Sequence, residues 1–225
     1  MGVGVWERQT SETYDLVIAR PTIGMISDQW ALSVYSLQKP VSSTMIVWKG
    51  VPFDVARNML VRDAQKFKAK HILFLDSDVI APADAIIKLM WRRLPIVSGL
   101  VWSKRGYPGL WRRAGLAYTP LTNLPSDAII EVDAIPMGCC LIDMRVFQVV
   151  TYPWFKWGIE DPSKETPGHV SEDFDFCEKA QAAGLKIYVD TGVRCNHETL
   201  IPLDPFGQST VHKPPIIDYS GPAPP

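Results

Sequence analysis

Residues 71–80 read His-Ile-Leu-Phe-Leu-Asp-Ser-Asp-Val-Ile, an apolar run that ends abruptly in two carboxylates. A short run without internal charge is what a strand buried on both faces requires, and parallel sheets are built from such strands. The pattern predicts a strand over His71–Asp76. Asp76 and Asp78 then lie at its carboxyl end, where open α/β sheets bind their ligands. Residues two apart share a face while the chain stays extended, so the pair offers hard oxygen ligands to a divalent cation. The same tripeptide also suits a plain surface turn, because Asp and Ser favour turns.

Working outward, further strand-length apolar runs occur at Asp15–Arg20, Thr44–Trp48 and Ile96–Trp102, and helix-length segments at Asp28–Gln38, Asp54–Lys68 and Pro82–Arg93. Strand and helix alternating in units of about 30 residues predict right-handed crossovers and an α/β fold: a Rossmann-type, mainly parallel sheet flanked by helices. After residue 102 the texture changes. Ser103–Ser126 is rich in Pro, Gly, Arg and aromatics and reads as a loop or irregular hairpin, with a short strand at Trp111–Gly115. Strands are expected at Ala128–Asp133, Met137–Asp143 and Lys186–Asp190, a loop at Thr151–Val170, and a helix over Glu172–Ala183 that begins after Ser171 and stops at Gly184. The expected organisation is one domain over 1–198, with a nucleotide-binding half at about 14–102 and a smaller acceptor-side half at 103–198. A Pro-rich tail follows at 199–225.

Composition narrows the function classes. The 225 residues carry 23 Lys+Arg against 24 Asp+Glu, a net charge of -1. That balance argues against general nucleic-acid binding, which needs a cationic excess. With 47% hydrophobic and 21% charged residues and a mean hydropathy of +0.02, the chain is an ordinary globular one. No stretch reaches the roughly 20 apolar residues of a membrane span, and the start lacks the apolar core of a secretory signal. A soluble, cytoplasmic protein is expected. Cys139, Cys140, Cys177 and Cys195 form no C-x-x-C pair and read as buried thiols rather than a zinc cage or a disulfide framework.

Several short segments follow one another in a telling order: Ala56-Arg57-Asn58, then Asp76-Ser77-Asp78, Val97-Ser98-Gly99-Leu100, Gly138-Cys139-Cys140-Leu141-Ile142 with Val146-Phe147, and Ser171 to Cys177 running on through Ala183–Asp190 to His197. Over about 14–198 this ordered set resembles the GT-A glycosyltransferases, especially the family 2 type. The resemblance implies a metal-dependent, hexosyl-transferring enzyme that moves a sugar from a nucleoside diphosphate sugar to an acceptor hydroxyl, with inversion, using Mn²⁺ or Mg²⁺. It implies Asp76, Asp78 and His197 as metal ligands, with His169 and His212 as competitors for the imidazole role. Asp173 becomes the base that removes the acceptor proton, with Glu172 second or orienting. Pro21, Thr22, Arg57, Asn58, Asp76, Ser77 and Lys104, with Arg105 beside it, become the nucleotide-sugar contacts. Trp102, Trp154 and Trp157 are acceptor-stacking candidates.

Physical chemistry gives these residues plainer roles as well. Acids in a first helical turn suit the macrodipole, and a Trp often only packs. A diphosphate near Asp76 and Asp78 is nonetheless repelled, by roughly 3 kcal/mol per charge pair at ~5 Å and an effective dielectric near 20, unless a cation intervenes. Trp48-Lys49 stands where many family members carry an acid near the nucleotide base, so the base stays open. Two rival readings remain. One is a nucleotide-sugar or glycan binding protein without turnover. The other is a metal-dependent phosphatase with Asp76 as nucleophile, which the haloacid-dehalogenase pattern disfavours: Ile80 replaces its Thr or Val and no later Gly-Asp-x-x-x-Asp occurs.

Overall fold

The computed structural model describes residues 13–158, except 105 and 116, and residues 171–198. In chain order the first half contains β1 (Leu16–Thr22), α1 (Asp28–Ser36), β2 (Ser43–Lys49), α2 (Phe53–Lys66), β3 (His71–Leu75), β4 (Val79–Ile80), α3 (Ala85–Trp91) and β5 (Ile96–Val101). The second half adds β6 (Trp111–Ala114), β7 (Ala117–Pro120), β8 (Ile129–Val132), β9 (Cys139–Asp143), α4 (Val146–Val149), α5 (Glu172–Ala182) and β10 (Ile187–His197). β1, β3 and β5 are almost wholly buried, which is why their sequences are continuous apolar runs. Asp54 in the first turn and Lys66 in the last complement the dipole of α2. Ser27 caps α1 by accepting the Trp30 N–H.

The strands form one mixed sheet in the order β2-β1-β3-β9-β5-β10-β4, with β8 also on β10, and β6 and β7 make a separate two-stranded hairpin. β2, β1, β3, β5 and β10 all run the same way, as the α/β reading expects. Between β3 and β5 lies β9, reversed and hydrogen-bonded to both. Helices cover both faces. α2 and α5 lie over Val17, Leu60, Phe74 and Phe176 on one side; α1 and α3 lie over Ile18, Trp30, Leu73 and Leu89 on the other. All four cysteines are buried free thiols. No described helix is long and apolar enough to cross a membrane.

Three features differ from the expectation. β10 runs for 11 residues to His197 rather than stopping at Asp190. A register shift between Asp190 and Arg194 lets it continue past Gly192, the residue that looks like a strand breaker in sequence. Asp190, fully buried in that strand, is held by Arg92 Nε at 2.8 Å. The hairpin partner β7 and the short α4 have too few residues to show a period of their own.

Asn58 ties α2 to the chain at 154–155. It donates to the Asp54 and Phe155 carbonyls, both at 2.7 Å, and accepts the Trp154 N–H at 3.0 Å and the Phe155 N–H at 3.3 Å. Asn58→Ala strands these buried backbone groups, and chemical denaturation should show a loss of about 3 kcal/mol with an unchanged m-value.

Candidate active site

The carboxyl edge of the sheet collects residues from several elements. Arg57, in the second turn of α2, is 2% exposed. Its two terminal nitrogens grip Asp76 in a fork, Nη1 to Oδ1 at 3.2 Å and Nη2 to Oδ2 at 3.3 Å. Its Nε lies 3.4 Å from Glu172 Oε1 and 3.2 Å from Asp173 Oδ1. One buried cation therefore serves three carboxylates. Burial opposes the guanidinium's charge, yet Asp76, Asp173 and Glu172 together hold its pKa above the ordinary arginine range.

Three acids crowd one cation, and the Asp173 carboxyl is pushed well above the usual carboxylate range. Burial first, and then the Glu172 and Asp76 charges, push its carboxyl up to about 7, against the opposing pull of Arg57 and of the Met137 N–H on Oδ2 at 3.1 Å. Its Oδ1 is buried and accepts no aligned hydrogen bond among the described residues, although Arg57 Nε is within ion-pair distance. The result is a carboxyl group pushed toward neutrality, with one oxygen that Arg57 pairs by charge but not by an aligned hydrogen bond.

Asp78 belongs to a second cluster. Lys104 Nζ lies 2.6 Å from its Oδ2 and His197 Nε2 lies 3.3 Å from the same oxygen. His197 Nδ1 is 2.7 Å from the Trp102 carbonyl, an acceptor, so Nδ1 carries a proton. With acceptors at both ring nitrogens, the imidazolium is favoured and the pKa is raised, the Asp78 hydrogen bond being the main cause. Burial works to raise the Asp78 carboxyl, but the hydrogen bonds from His197 and Lys104 win and bring it to about 2.

β9 sets the shape of the turn between these clusters. Leu75 pairs with Cys139, so Gly138 sits opposite Asp76 and accepts its N–H at 3.0 Å. A Cβ at Gly138 would come within 2.9 Å of Val79 Cγ2 and 3.5 Å of Asp76 Oδ2, so glycine leaves room for the acid. From the other face, the Trp30 indole N–H donates to the Asp76 carbonyl at 2.8 Å.

The remaining expected residues divide into edge and interior. Ser77 lies half-buried in the turn between β3 and β4. Pro21 and Thr22 are buried at the end of β1, with Thr22 Oγ1 accepting the Gly24 N–H. Arg57 and Asn58, expected at a nucleotide, turn inward: the first is surrounded by carboxylates, and the second is spent on backbone groups. Trp154 is 7% exposed and donates its indole N–H to the Phe147 carbonyl, a packed position rather than an open stacking face. Trp102 and Trp157 are 44% and 43% exposed. Trp102 lines a cavity of about 320 Å³ with Pro108, Thr122, Leu124 and Arg194. His169, His212 and Arg105 lie outside the described residues. Of the expected metal ligands, Asp78 and His197 meet while Asp76 is turned to Arg57. Among the described residues no three His, Cys, Asp or Glu side chains are arranged to hold an ion.

Comparison with protein-family models finds no match for the chain, and comparison with curated sequences finds none either. Solved structures do match. Protein A197 from STIV superposes with a TM-score of 0.58 at 15% identity, covering 91% of this chain and 98% of that one. GalNAc-T7, solved with UDP, GalNAc and Mn²⁺, gives a TM-score of 0.53 at 13% identity over 84% of this chain and 44% of that one. The chain has a GT-A-like fold. It spans less than half the length of GalNAc-T7, and identities this low speak to the fold alone.

Removing the central cation should expose the carboxylate repulsion. Arg57→Ala is expected to cost about 3–5 kcal/mol near pH 7.5, the scale for breaking a buried ion pair. Without Arg57 the acids retain protons in the folded state that the unfolded chain releases above about pH 4, so the folded state loses ground as pH rises. Denaturation at pH 5 and pH 7.5 should therefore show the smaller deficit at the lower pH.

Proposed function

We propose that this chain is a glycosyltransferase that moves a sugar from a nucleoside diphosphate sugar to an acceptor hydroxyl with inversion at the anomeric carbon. The observation that carries the reading is Asp173: a carboxyl held near neutrality, with one oxygen in ion-pair range of Arg57 but accepting no aligned hydrogen bond, sharing Arg57 with the first residue of an Asp-x-Asp turn at the carboxyl edge of a GT-A-like sheet. A general base works best with a pKa near the operating pH. The acceptor oxygen attacks the anomeric carbon as Asp173 takes its proton. The new carbon–oxygen bond forms as the bond to the diphosphate breaks, and the electron pair leaves on the diphosphate. Arg57 and the Met137 N–H fix the carboxylate, and Glu172 shares the same guanidinium as an orienting group.

In this reading Ser77 and Lys104 would meet the donor, with Pro21 and Thr22 behind them at the buried end of β1. Arg57 and Asn58 act from behind the edge by holding Asp76 and the chain at 154–155. Asp78 and His197 would suit Mn²⁺ or Mg²⁺ in kind, with Asp76 joining them only on release from Arg57. Asp78 and His197 already converge, and Lys104, half-exposed after β5, is the group that must leave Asp78 and turn to the diphosphate. Bound there, a divalent cation supplies Lewis-acid stabilisation of the leaving diphosphate. GalNAc-T7 was solved with UDP, which makes UDP-sugars the first donors to test. The Trp102 cavity, at the low end of ligand-pocket size, suits an acceptor ring. Against a phosphatase, both Asp76 oxygens are committed to Arg57. A binding protein without turnover draws on the same ion pairs, and donor hydrolysis or transfer separates it from the enzyme.

Asp173→Asn should leave donor affinity intact while transfer falls by about a hundredfold or more. In the wild type, transfer should decline about tenfold per pH unit below about pH 7, as the base becomes protonated. Product formation assayed across pH 5–9 checks both, and a flat profile with an active Asp173→Asn variant removes the assignment. Lys104→Ala should tighten Mn²⁺ binding, measured calorimetrically, by up to about fivefold, the equivalent of roughly 1 kcal/mol for an exposed pair.

A further inference from the structure

Arg20, at the carboxyl end of β1, is the anomaly of this edge. It is half-buried, and its Nε and Nη1 are shielded from solvent with no hydrogen-bond acceptor among the described residues. Its guanidinium carbon stacks 4.8 Å from the centroid of the Trp30 ring. Stacking compensates part of the charge but satisfies none of the N–H donors, and buried donors without partners are rare in folded proteins. Burial also works against the charge on Arg20.

The placement shows what is missing. Trp30 donates its indole N–H to the Asp76 carbonyl, so the ring carrying Arg20 abuts the Asp-x-Asp turn. Parallel pairing sets Arg20 beside Val47 and Thr22 beside Lys49. Arg20 and Lys49 therefore project from the same face of neighbouring strands, with Cα atoms roughly 8 Å apart by strand spacing and rise. Lys49 is exposed and has no carboxylate partner among the described residues. Gly24, at φ +148, crosses it so closely that a Cβ there would sit 3.1 Å from Lys49 Cε. Two cations without acidic partners among the described residues, one of them pre-oriented on an indole, make a fork for an anion.

We propose that Arg20 on Trp30, with Lys49 across the strand gap, is a phosphate-binding site that reads the phosphates of the donor nucleotide and determines selectivity for diphosphate over nucleoside. This rests on the donor reading above and adds a residue that the Asp-x-Asp turn does not supply. Planar guanidinium donors match phosphate oxygens two at a time, and stacking fixes their plane before the ligand arrives.

Calorimetry and thermal shift on wild type, Arg20→Met, Arg20→Lys and Lys49→Met test the site with inorganic pyrophosphate and with UDP, GDP, CDP and dTDP, each against its own nucleoside. Arg20→Met should weaken diphosphate and pyrophosphate binding by about tenfold or more while nucleoside affinity stays within twofold. Its melting temperature without ligand should rise, because an unsatisfied buried cation has been removed. Arg20→Lys should fall between the two, and Lys49→Met should show a smaller loss. Wild-type diphosphate affinity in Arg20→Met overturns the proposal, as does a parallel loss of nucleoside binding and of stability. Should pyrophosphate bind through Arg20 while no donor is hydrolysed or transferred, the site stands and the glycosyltransferase reading falls. Donor turnover with an indifferent Arg20→Met does the opposite: the transferase stands and the phosphate site falls.

Discussion

A single buried guanidinium organises the working edge of this protein. Arg57 sits under the sheet edge with almost no contact with water, and it is tolerable there only because Asp76, Glu172 and Asp173 surround it. Those acids come from the end of β3 and the first turn of α5, while the arginine comes from α2, so one side chain fixes three elements relative to one another. Burial, joined by the neighbouring Glu172 and Asp76 charges, pushes the Asp173 carboxyl up to about 7 against the pull of Arg57.

The reversed strand β9 is the second constraint. By lying between β3 and β5 it brings Gly138 against Asp76, so that the turn carrying both aspartates is held by a backbone hydrogen bond and kept clear of a side chain. The long β10 then delivers His197 to the far side of that turn, and the Trp102 carbonyl orients its ring. Asp76 and Asp78, two residues apart in sequence, thus face different partners: a buried arginine behind and a lysine–histidine pair in front. Both aspartates are already held by cations of this chain.

Much of this was legible in the chain. The apolar run at 72–75 ending in Asp76 marked the strand and set Asp76 at its carboxyl end, because burial on both faces leaves an unbroken apolar signature. The helix at Glu172 was readable from its Ser, its first-turn acids and Gly184. Asp78 and His197 were expected together and do meet. Arg57 was visible as a helical arginine, but its inward direction was not, since a lone Arg in a helix more often faces water. Arg20 offered no signal at all: a cation at a strand end is ordinary until its neighbours are known.

By itself the sequence determined the longer strands and helices and that two carboxylates end a buried strand, because periodicity and burial are local properties written residue by residue. Tertiary structure alone decided that β9 runs between β3 and β5, that Arg57 reaches Glu172 across 115 positions of chain, and that Arg20 has an indole beneath it and no acceptor among the described residues for two of its nitrogens. These contacts join residues whose local patterns are independent. Only the packing of helices on a common sheet brings them within the few ångströms over which hydrogen bonds and ion pairs act.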